Sequence, residues 1–232
     1  LKEAVAQARL ATQAALAHLD SASPVEQGLI RALEQRYQAN QATSLEQLFS
    51  WNDAYAASMR DVYRSFADDP DVAALFAEAL IDRTPWLLWD LRTGQPAAGA
   101  DTLEAVAVLE QALQRMEQHG AAPHPGVLHM YVHTMEMSPH PERALRAADV
   151  LRDLVPDAGH LRHMPSHIDV LCGDYRGAMI TNSRAIQADS KYLEQEGPLN
   201  FYTLYRCHNY HFKLYSAMFL GQYQPALEAA NQ

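Results

Sequence analysis

Cysteine and basic residues are scarce in this chain, and their scarcity excludes several classes of protein. Among 232 residues there are two cysteines, Cys172 and Cys207. Two thiols cannot build the disulfide framework of small secreted domains, so we expect a reducing compartment, the cytoplasm. The net charge is −10, which gives no attraction to phosphate backbones or anionic lipids. We therefore expect neither nucleic acid nor a membrane as a partner.

Long apolar runs and alternating β-branched stretches are also missing. No run of about 18 apolar residues occurs, so no membrane-spanning segment is predicted. Apolar side chains instead recur at helical spacing between breaks formed by Pro and Gly. The sequence therefore predicts an all-α fold built from antiparallel helix pairs. Helix starts are expected at Ser23-Pro24 and at Asp101-Thr102, where a capping residue precedes a helical pattern.

The two ends of the sequence suggest a part of a longer protein. The first residue is Leu1 and not Met, and the last residues, YQPALEAANQ, stop within an apparent helix. We therefore expect a chain that is truncated at its C-terminus.

A weak internal repeat runs through the second half of the chain. The clearest copy is LCGDYRGAMITNSRAIQAD at residues 171–189. A second copy at residues 137–157 lies 34 positions earlier, and a third at residues 219–230 lies 48 positions later. Both overlays place an alanine on Ala178. The extra 14 positions indicate a longer helix end and loop before the third copy.

These residues resemble the tetratricopeptide repeat. The likeness is carried by the L-x-G-D-Y-x-x-A pattern of residues 171–178, by Ala185 and by the period of 34. The resemblance implies an α-solenoid, a superhelix of helix pairs whose first helices line a concave face. On this basis residues 1–120 are expected to form degenerate repeats. Residues 121–232 are expected to continue the same solenoid and to carry its concave face.

Seven histidines fall in three short bursts on the repeats: His129, His133, His160, His163, His167, His208 and His211. The two offsets superimpose them in these pairs: His129 with His163, His133 with His167, His163 with His211, and His160 with His208. Within each burst the spacing places the rings on one helix face. Because the family's first helices face inward, we expect all three bursts to line one groove.

Such crowding of imidazoles favours a transition-metal site. Neutral imidazole is the commonest metal ligand in proteins, and Glu136 adds a carboxylate at helical spacing from His133. The expected ligands are His129, His133, Glu136, His163, His167 and His211. His160 and His208, one turn earlier on their helices, are expected to be outer ligands or acid–base groups. Tyr215 aligns with His133 and His167 and is a third catalytic candidate.

The residue types leave the metal and the reaction open. Histidine with glutamate suits Zn, Fe, Mn or Ni, and interleaved methionines keep Cu in consideration. Seven histidines exceed one tetrahedral set of ligands. This number indicates either two ions, or some histidines that hydrogen-bond to the ligands or act as a general base. A metalloenzyme here could hydrolyse a substrate or bind dioxygen for oxidation. The sequence does not choose between these two reactions.

A narrower likeness supports the histidines as a site. HxxxHxxE, AGHLxHMPSHI and GDYxxAxxxNxxAxxxD resemble motifs of a group of bacterial tetratricopeptide-repeat proteins without a settled function. The usual role of the repeat offers the main alternative, a metal-free groove that binds a small molecule or a peptide as a protein–protein scaffold. Metal storage or delivery is a third hypothesis, and isolated structural histidines are a fourth.

Overall fold

The computed structural model describes residues 2–42 and 44–232. This part of the chain is almost entirely helical, with twelve α-helices and one short β-hairpin. The prediction of an all-α fold is therefore confirmed at the level of fold class. The chain divides into two compact units, Leu1–Ala121 and Ala122–Gln232. None of the helices in the described ranges is both long enough and apolar enough to cross a membrane.

The first unit packs its helices around a core that includes Met59, Phe76 and Leu109, all fully or almost fully buried. Its elements, in chain order, are α1 (Lys2–Ala17), α2 (Pro24–Arg36), α3 (Leu45–Ser65), α4 (Pro70–Ile81), β1 (Trp89–Asp90), β2 (Gln95–Pro96) and α5 (Thr102–His119).

Both expected helix starts are present, and they differ in how they are capped. The Ser23 side chain accepts a hydrogen bond from the backbone N–H of Glu26, whose carboxylate accepts from the backbone N–H of Ser23 at 2.7 Å. This reciprocal capping satisfies two N–H groups at the start of α2. Asp101 also precedes a helix, but its side chain does not cap it. Its carboxylate instead pairs with Arg60 at 3.3 Å and with Arg83.

The hairpin between α4 and α5 has no counterpart in the sequence prediction. Its strands pair antiparallel, with Trp89 opposite Pro96 and Asp90 opposite Gln95. Two residues per strand are too few to produce an alternating pattern, which explains why no strand was predicted here. The hairpin is held to α5 by the Thr102 hydroxyl, which donates to the Leu88 carbonyl at 2.5 Å.

The second unit consists of three sequential groups of helices. Its elements are α6 (Pro125–Met135), α7 (Leu145–Leu151), α8 (Gly159–His163), α9 (Pro165–Cys172), α10 (Tyr175–Glu196), α11 (Thr203–Phe219) and α12 (Tyr223–Ala230). Helix α6 packs on α7, both α8 and α9 pack on α10, and α11 packs on α12. The histidine bursts lie on the first helices of these groups.

Helices α8 and α9 are nearly continuous, and Pro165 begins the second of them. Proline has no backbone N–H, so it interrupts the hydrogen bonds of a helix while it suits the first position of the next one. Met164, between the two helices, keeps helical backbone angles of −53° and −38°. His160, His163 and His167 therefore follow one another at nearly helical spacing across the break.

A buried ion pair fixes α9 against its neighbours. Arg152, just after α7, donates two hydrogen bonds to the carboxylate of Asp169, at 2.8 and 2.9 Å. Arg152 also donates to the hydroxyl of Thr181 on α10 at 2.6 Å. Asp169 is 2% exposed. Because each charge is bonded, the pair orients α9, and with it His167, relative to α7 and α10.

We expect Gly159→Ala to destabilise the protein, because Gly159 lies against the Asp189 carboxylate. A Cβ atom at this position would overlap that carboxylate. Asp189 in turn accepts hydrogen bonds from Tyr202 at 2.9 Å and from Asn209 at 2.7 Å. Moving it would disturb the contact of α8, α10 and α11, at a cost of about 1–3 kcal/mol in the free energy of unfolding. Urea denaturation measures the difference.

A matched control for this substitution is Gly28→Ala in α2. A Cβ there meets a Val62 methyl carbon at 3.3 Å, a tight but adjustable contact. Alanine also favours helix by about 1 kcal/mol over glycine. We expect Gly28→Ala to be nearly neutral or stabilising. Equal stability of the two variants would contradict the role given to the close approach at Gly159.

Candidate metal centre

Six of the seven burst histidines meet in two groups. Cluster A consists of His129, His133 and His160, and cluster B of His163, His167 and His208. Within each cluster, one ring nitrogen from every histidine lies within 4.8 Å of the others. Cluster A thus draws on α6 and α8, whereas cluster B draws on α8, α9 and α11. In the part of the chain that the structure describes, these are the two groups suited to hold a metal ion.

Cluster A is half-buried. The Nε2 atoms of His129 and His160 lie 3.1 Å apart. The ring of His133 has its centre 4.6 Å from that of His129 and 5.9 Å from that of His160. Tyr205, on α11, approaches His160 edge-on at 5.1 Å and is 45% exposed. The cluster is therefore within reach of solvent.

Cluster B is more deeply enclosed. His163 is fully buried, and its Nε2 atom lies 2.8 Å from Nε2 of His167. The ring centre of His208 is 4.7 Å from that of His163 and 5.6 Å from that of His167. The Phe212 ring lies 4.4–4.9 Å from all three imidazoles. Cluster B thus contains one fully buried ring beside an aromatic side chain, whereas all three rings of cluster A are partly exposed.

Glu136 connects the two clusters through its two oxygen atoms. Its Oε1 accepts a hydrogen bond from Nδ1 of His133 at 2.9 Å. Its Oε2 accepts from Nδ1 of His167. The side chain is 11% exposed. Glu136 therefore contacts Nδ1 of one histidine in each cluster. Carboxylates that orient metal-binding imidazoles make the same hydrogen bond to the ring nitrogen that does not bind the metal.

Hydrogen bonds assign the proton in three of these rings. Asn182 donates its Nδ2–H to the Ala178 carbonyl at 2.8 Å, so its Oδ1 faces Nδ1 of His163 at 2.7 Å. That nitrogen must carry the proton, because the amide oxygen can only accept. The same reasoning places a proton on Nδ1 of His133 and of His167, since both donate to Glu136. In a neutral ring, Nε2 then carries a lone pair.

Burial keeps several of the histidines neutral. Burial, together with the neighbouring rings of His133 and His160, lowers the pKa of His129 to about 3. Burial and nearby rings also lower the pKa of His160 to about 4, and they hold the pKa values of His163 and His208 below the ordinary value. Burial would raise the pKa of Glu136, but hydrogen bonds from two histidines outweigh it and lower that pKa to about 2. At neutral pH each cluster thus contains two neutral rings, His129 and His160 in cluster A and His163 and His208 in cluster B, near one carboxylate.

The chain matches no family model, no curated protein and no solved structure. The resemblance to the tetratricopeptide repeat therefore stays a prediction from the sequence. Any function has to be inferred from the clusters themselves.

The structure distributes the expected site residues differently from the sequence register. Glu136, expected as a ligand, accepts hydrogen bonds from Nδ1 of His133 and of His167. His160 and His208, expected as outer or acid–base groups, are members of the two clusters. His211, expected as a ligand, is exposed, and its ring centre is 6.2 Å from that of His208. Tyr215 neighbours His211 at 6.5 Å and lies outside both clusters.

Two residues near cluster B were not singled out as site residues from the sequence. Asn182 comes from α10, and its Oδ1 lies 2.7 Å from Nδ1 of His163. Phe212 follows His211 directly and covers the cluster. Asn182 lies on the second helix of the same group as His163, and a polar residue at helical spacing from Ala178 and Ala185 is the signal that could have indicated it. Nothing in the pattern of apolar residues distinguishes Phe212 from an ordinary core residue.

Proposed function

We propose that the protein binds two divalent transition-metal ions, one in each histidine cluster. The observation that carries this proposal is the contact between Nε2 of His163 and Nε2 of His167, at 2.8 Å. Asn182 and Glu136 hold the protons of both rings on Nδ1, so two lone pairs face each other. This contact is repulsive unless a cation lies between the nitrogens. A proton on Nε2 of His163 is disfavoured because burial holds the pKa of that ring well below its ordinary value.

Metal coordination suits the separations of the ring nitrogens. Two nitrogens bound to a tetrahedral Zn²⁺ at about 2.0–2.1 Å lie about 3.3 Å apart. The two close pairs, at 2.8 Å in cluster B and 3.1 Å in cluster A, need only small adjustments to reach that value. The carboxylate of Glu136 and the amide of Asn182 supply the outer hydrogen bonds that metal-binding histidines usually have.

The ligand types favour a metal-dependent hydrolase. Each cluster offers three imidazoles, and three protein ligands leave one tetrahedral position open for water or substrate. A metal held by neutral ligands supplies Lewis acidity that activates water. Non-haem iron oxygenases use two histidines and a carboxylate on one ion, whereas here the carboxylate of Glu136 is hydrogen-bonded to histidines. Cluster A, half-exposed beside Tyr205, is the better candidate for substrate access.

The wider architecture that we propose is a tetratricopeptide-like superhelix. Its support is the sequential packing of α6 with α7, of α8 and α9 with α10, and of α11 with α12. In such an arrangement the first helices line a concave groove, which would present the clusters to a small molecule or a peptide. The free, exposed thiols of Cys172 and Cys207 are compatible with a reducing compartment such as the cytoplasm.

The test is the metal content of the full chain, purified without a tag and without a nickel column. After equilibration with Zn²⁺ at pH 7.5 and removal of free ion, we expect two equivalents per chain by elemental mass spectrometry. The metal found without added Zn²⁺ identifies the physiological ion. Absence of bound metal, both as purified and after titration with Zn²⁺, would reject the proposal and favour a metal-free groove for a peptide or small molecule.

A further inference from the structure

Glu136 hydrogen-bonds to both clusters, and it does so with different oxygen atoms. Oε1 accepts from Nδ1 of His133 at 2.9 Å, and Oε2 accepts from Nδ1 of His167. A carboxylate has acceptors alone, so both of its partners must be donors. In each neutral ring the proton is thereby kept on Nδ1, and Nε2 is left with its lone pair toward the cluster.

We infer that Glu136 is a positioning residue that sets the proton tautomer of one histidine in each cluster, and that one carboxylate thereby controls metal binding at both. The consequence for metal binding rests on the proposed function. The statement about tautomers does not, because it concerns the metal-free protein. A histidine whose proton is on Nε2 has no lone pair to offer there, and metal binding must first move that proton.

The isosteric substitution Glu136→Gln separates the two roles of the carboxylate. Glutamine has one oxygen that accepts and one NH₂ group that donates, so it cannot accept from both histidines. The ring that faces the NH₂ group must accept with Nδ1 and carry its single proton on Nε2. Glu136→Gln is therefore expected to convert one of the two rings to the other tautomer.

The neighbours of the two rings indicate which one converts. An Nε2–H on His167 would donate directly to the lone pair on Nε2 of His163, 2.8 Å away. That new hydrogen bond removes the repulsion between the two lone pairs. Among the described residues, Nε2 of His133 has no hydrogen-bond partner, and the ring bonds only through Nδ1 to Glu136. We therefore expect the NH₂ group introduced by Glu136→Gln to face His167, so that metal binding is weakened at cluster B and kept at cluster A.

The experiment is a nuclear magnetic resonance measurement on the full, metal-free chain labelled with ¹⁵N-histidine, at pH 7.5. Long-range ¹H–¹⁵N correlations report which ring nitrogen carries the proton, and His133→Gln and His167→Gln identify the two signals. In the wild-type protein we expect the Nδ1–H tautomer for both rings. In Glu136→Gln we expect His167 to become the Nε2–H tautomer while His133 is unchanged.

Titration with Zn²⁺ then measures the consequence. The wild-type protein is expected to bind two ions tightly. Glu136→Gln is expected to bind one tightly, and the second about 10–100-fold more weakly, the usual effect of removing an outer hydrogen bond. The matched control is Glu142→Gln, which alters an exposed glutamate paired with His140 at 3.2 Å, outside both clusters. This control should keep both tautomers and both ions.

The possible failures can be distinguished. An Nε2–H tautomer on His133 or His167 of the wild-type protein overturns the inference. This part of the test needs no variant, so it remains decisive even if Glu136→Gln folds poorly. Unchanged tautomers and two tight ions in a folded Glu136→Gln also overturn it, while the proposed function stands. Failure of the wild-type protein to bind Zn²⁺ rejects the proposed function and leaves the result on tautomers intact.

Discussion

We expect His208→Ala to lower the bound Zn²⁺ from two equivalents to one, and His211→Ala to leave both ions in place. The reason is the position of the two rings on α11. His208 lies 4.7 Å from His163, ring centre to ring centre, and belongs to cluster B. His211 is exposed and has no ring nitrogen in either cluster. Elemental mass spectrometry after dialysis against a fixed concentration of Zn²⁺ measures the difference.

Circular dichroism controls for folding in this experiment, since both variants should keep the wild-type helical content. His140→Ala, an exposed histidine in the same unit, is the control for loss of any histidine. The reverse result, with one ion lost from His211→Ala and none from His208→Ala, would restore the ligand set that the repeat register predicts. Two ions in both variants would remove α11 from the metal site.

We expect the thermal midpoint of the metal-free protein to fall as the pH decreases from 7.5 to 5.0. Several histidines have a pKa in the folded state far below the ordinary 6.5, with His129 at about 3 and His160 at about 4. In unfolded protein these rings take up protons below about pH 6.5, but in the folded protein they stay neutral. The unfolded state therefore binds more protons in this window, and acid favours unfolding.

The expected size of this effect follows from the same pKa differences. At pH 5.0 each ring that is kept neutral reduces stability by about 1–2 kcal/mol, since one pH unit corresponds to about 1.4 kcal/mol. For a chain of this length each kcal/mol shifts the midpoint by about 2–4 °C. Glu136, whose pKa is lowered to about 2, stabilises the fold above its ordinary pKa of 4.5 and loses that contribution at lower pH. Glu136 therefore does not offset the loss of stability caused by the histidines between pH 7.5 and 5.0.

Measurement of this pH dependence requires a chelator and a variant that removes one buried ring. Differential scanning calorimetry in EDTA gives the midpoint at each pH. His129→Gln should show a smaller decrease between pH 7.5 and 5.0 than the wild-type protein, and His140→Gln the same decrease. A midpoint that is constant from pH 8 to 5.5 would contradict the burial of neutral histidines.

The helices and the faces on which the histidines lie could be predicted from the sequence, because both depend on local spacing. Ser23 before Pro24 marks a helix start in any context where the chain is helical, and the structure contains it. The spacing of His129 and His133 likewise needs only one helix turn. Such features are fixed by covalent geometry and by the period of the α-helix.

The composition of the clusters could not be predicted, because it depends on how one helix slides along another. The offset of 48 places His211 on His163, but the ring beside His163 is that of His208, about one turn earlier on α11. The position of α11 is determined by packing and by the segment between α10 and α11, where the repeat is interrupted. Aligning the repeats by sequence does not show how far α11 is shifted along its neighbours.

The contact of Glu136 with His167 could not be predicted for a related reason. Its spacing from His133 is visible in the sequence, and the expectation of a metal ligand used that spacing alone. Its second partner, His167, comes from α9 and becomes a neighbour only when α6 and α9 pack. Each oxygen of the Glu136 carboxylate thus contacts the Nδ1 atom of a histidine. A metal ligand and a residue that hydrogen-bonds to a ligand can thus have the same spacing in the sequence. Only their tertiary contacts distinguish them.

Cluster B also has a consequence for the connectivity of the chain. Its three imidazoles come from α8, α9 and α11, so that His163 and His208 lie on different groups of helices. An ion bound by both would close a long loop of the backbone, and such a cross-link restricts the unfolded chain as a disulfide does. Both cysteines are free, so they form no disulfide cross-link. A metal ion bound by cluster B would cross-link the chain instead, and metal binding would then be one step in the formation of the stable protein.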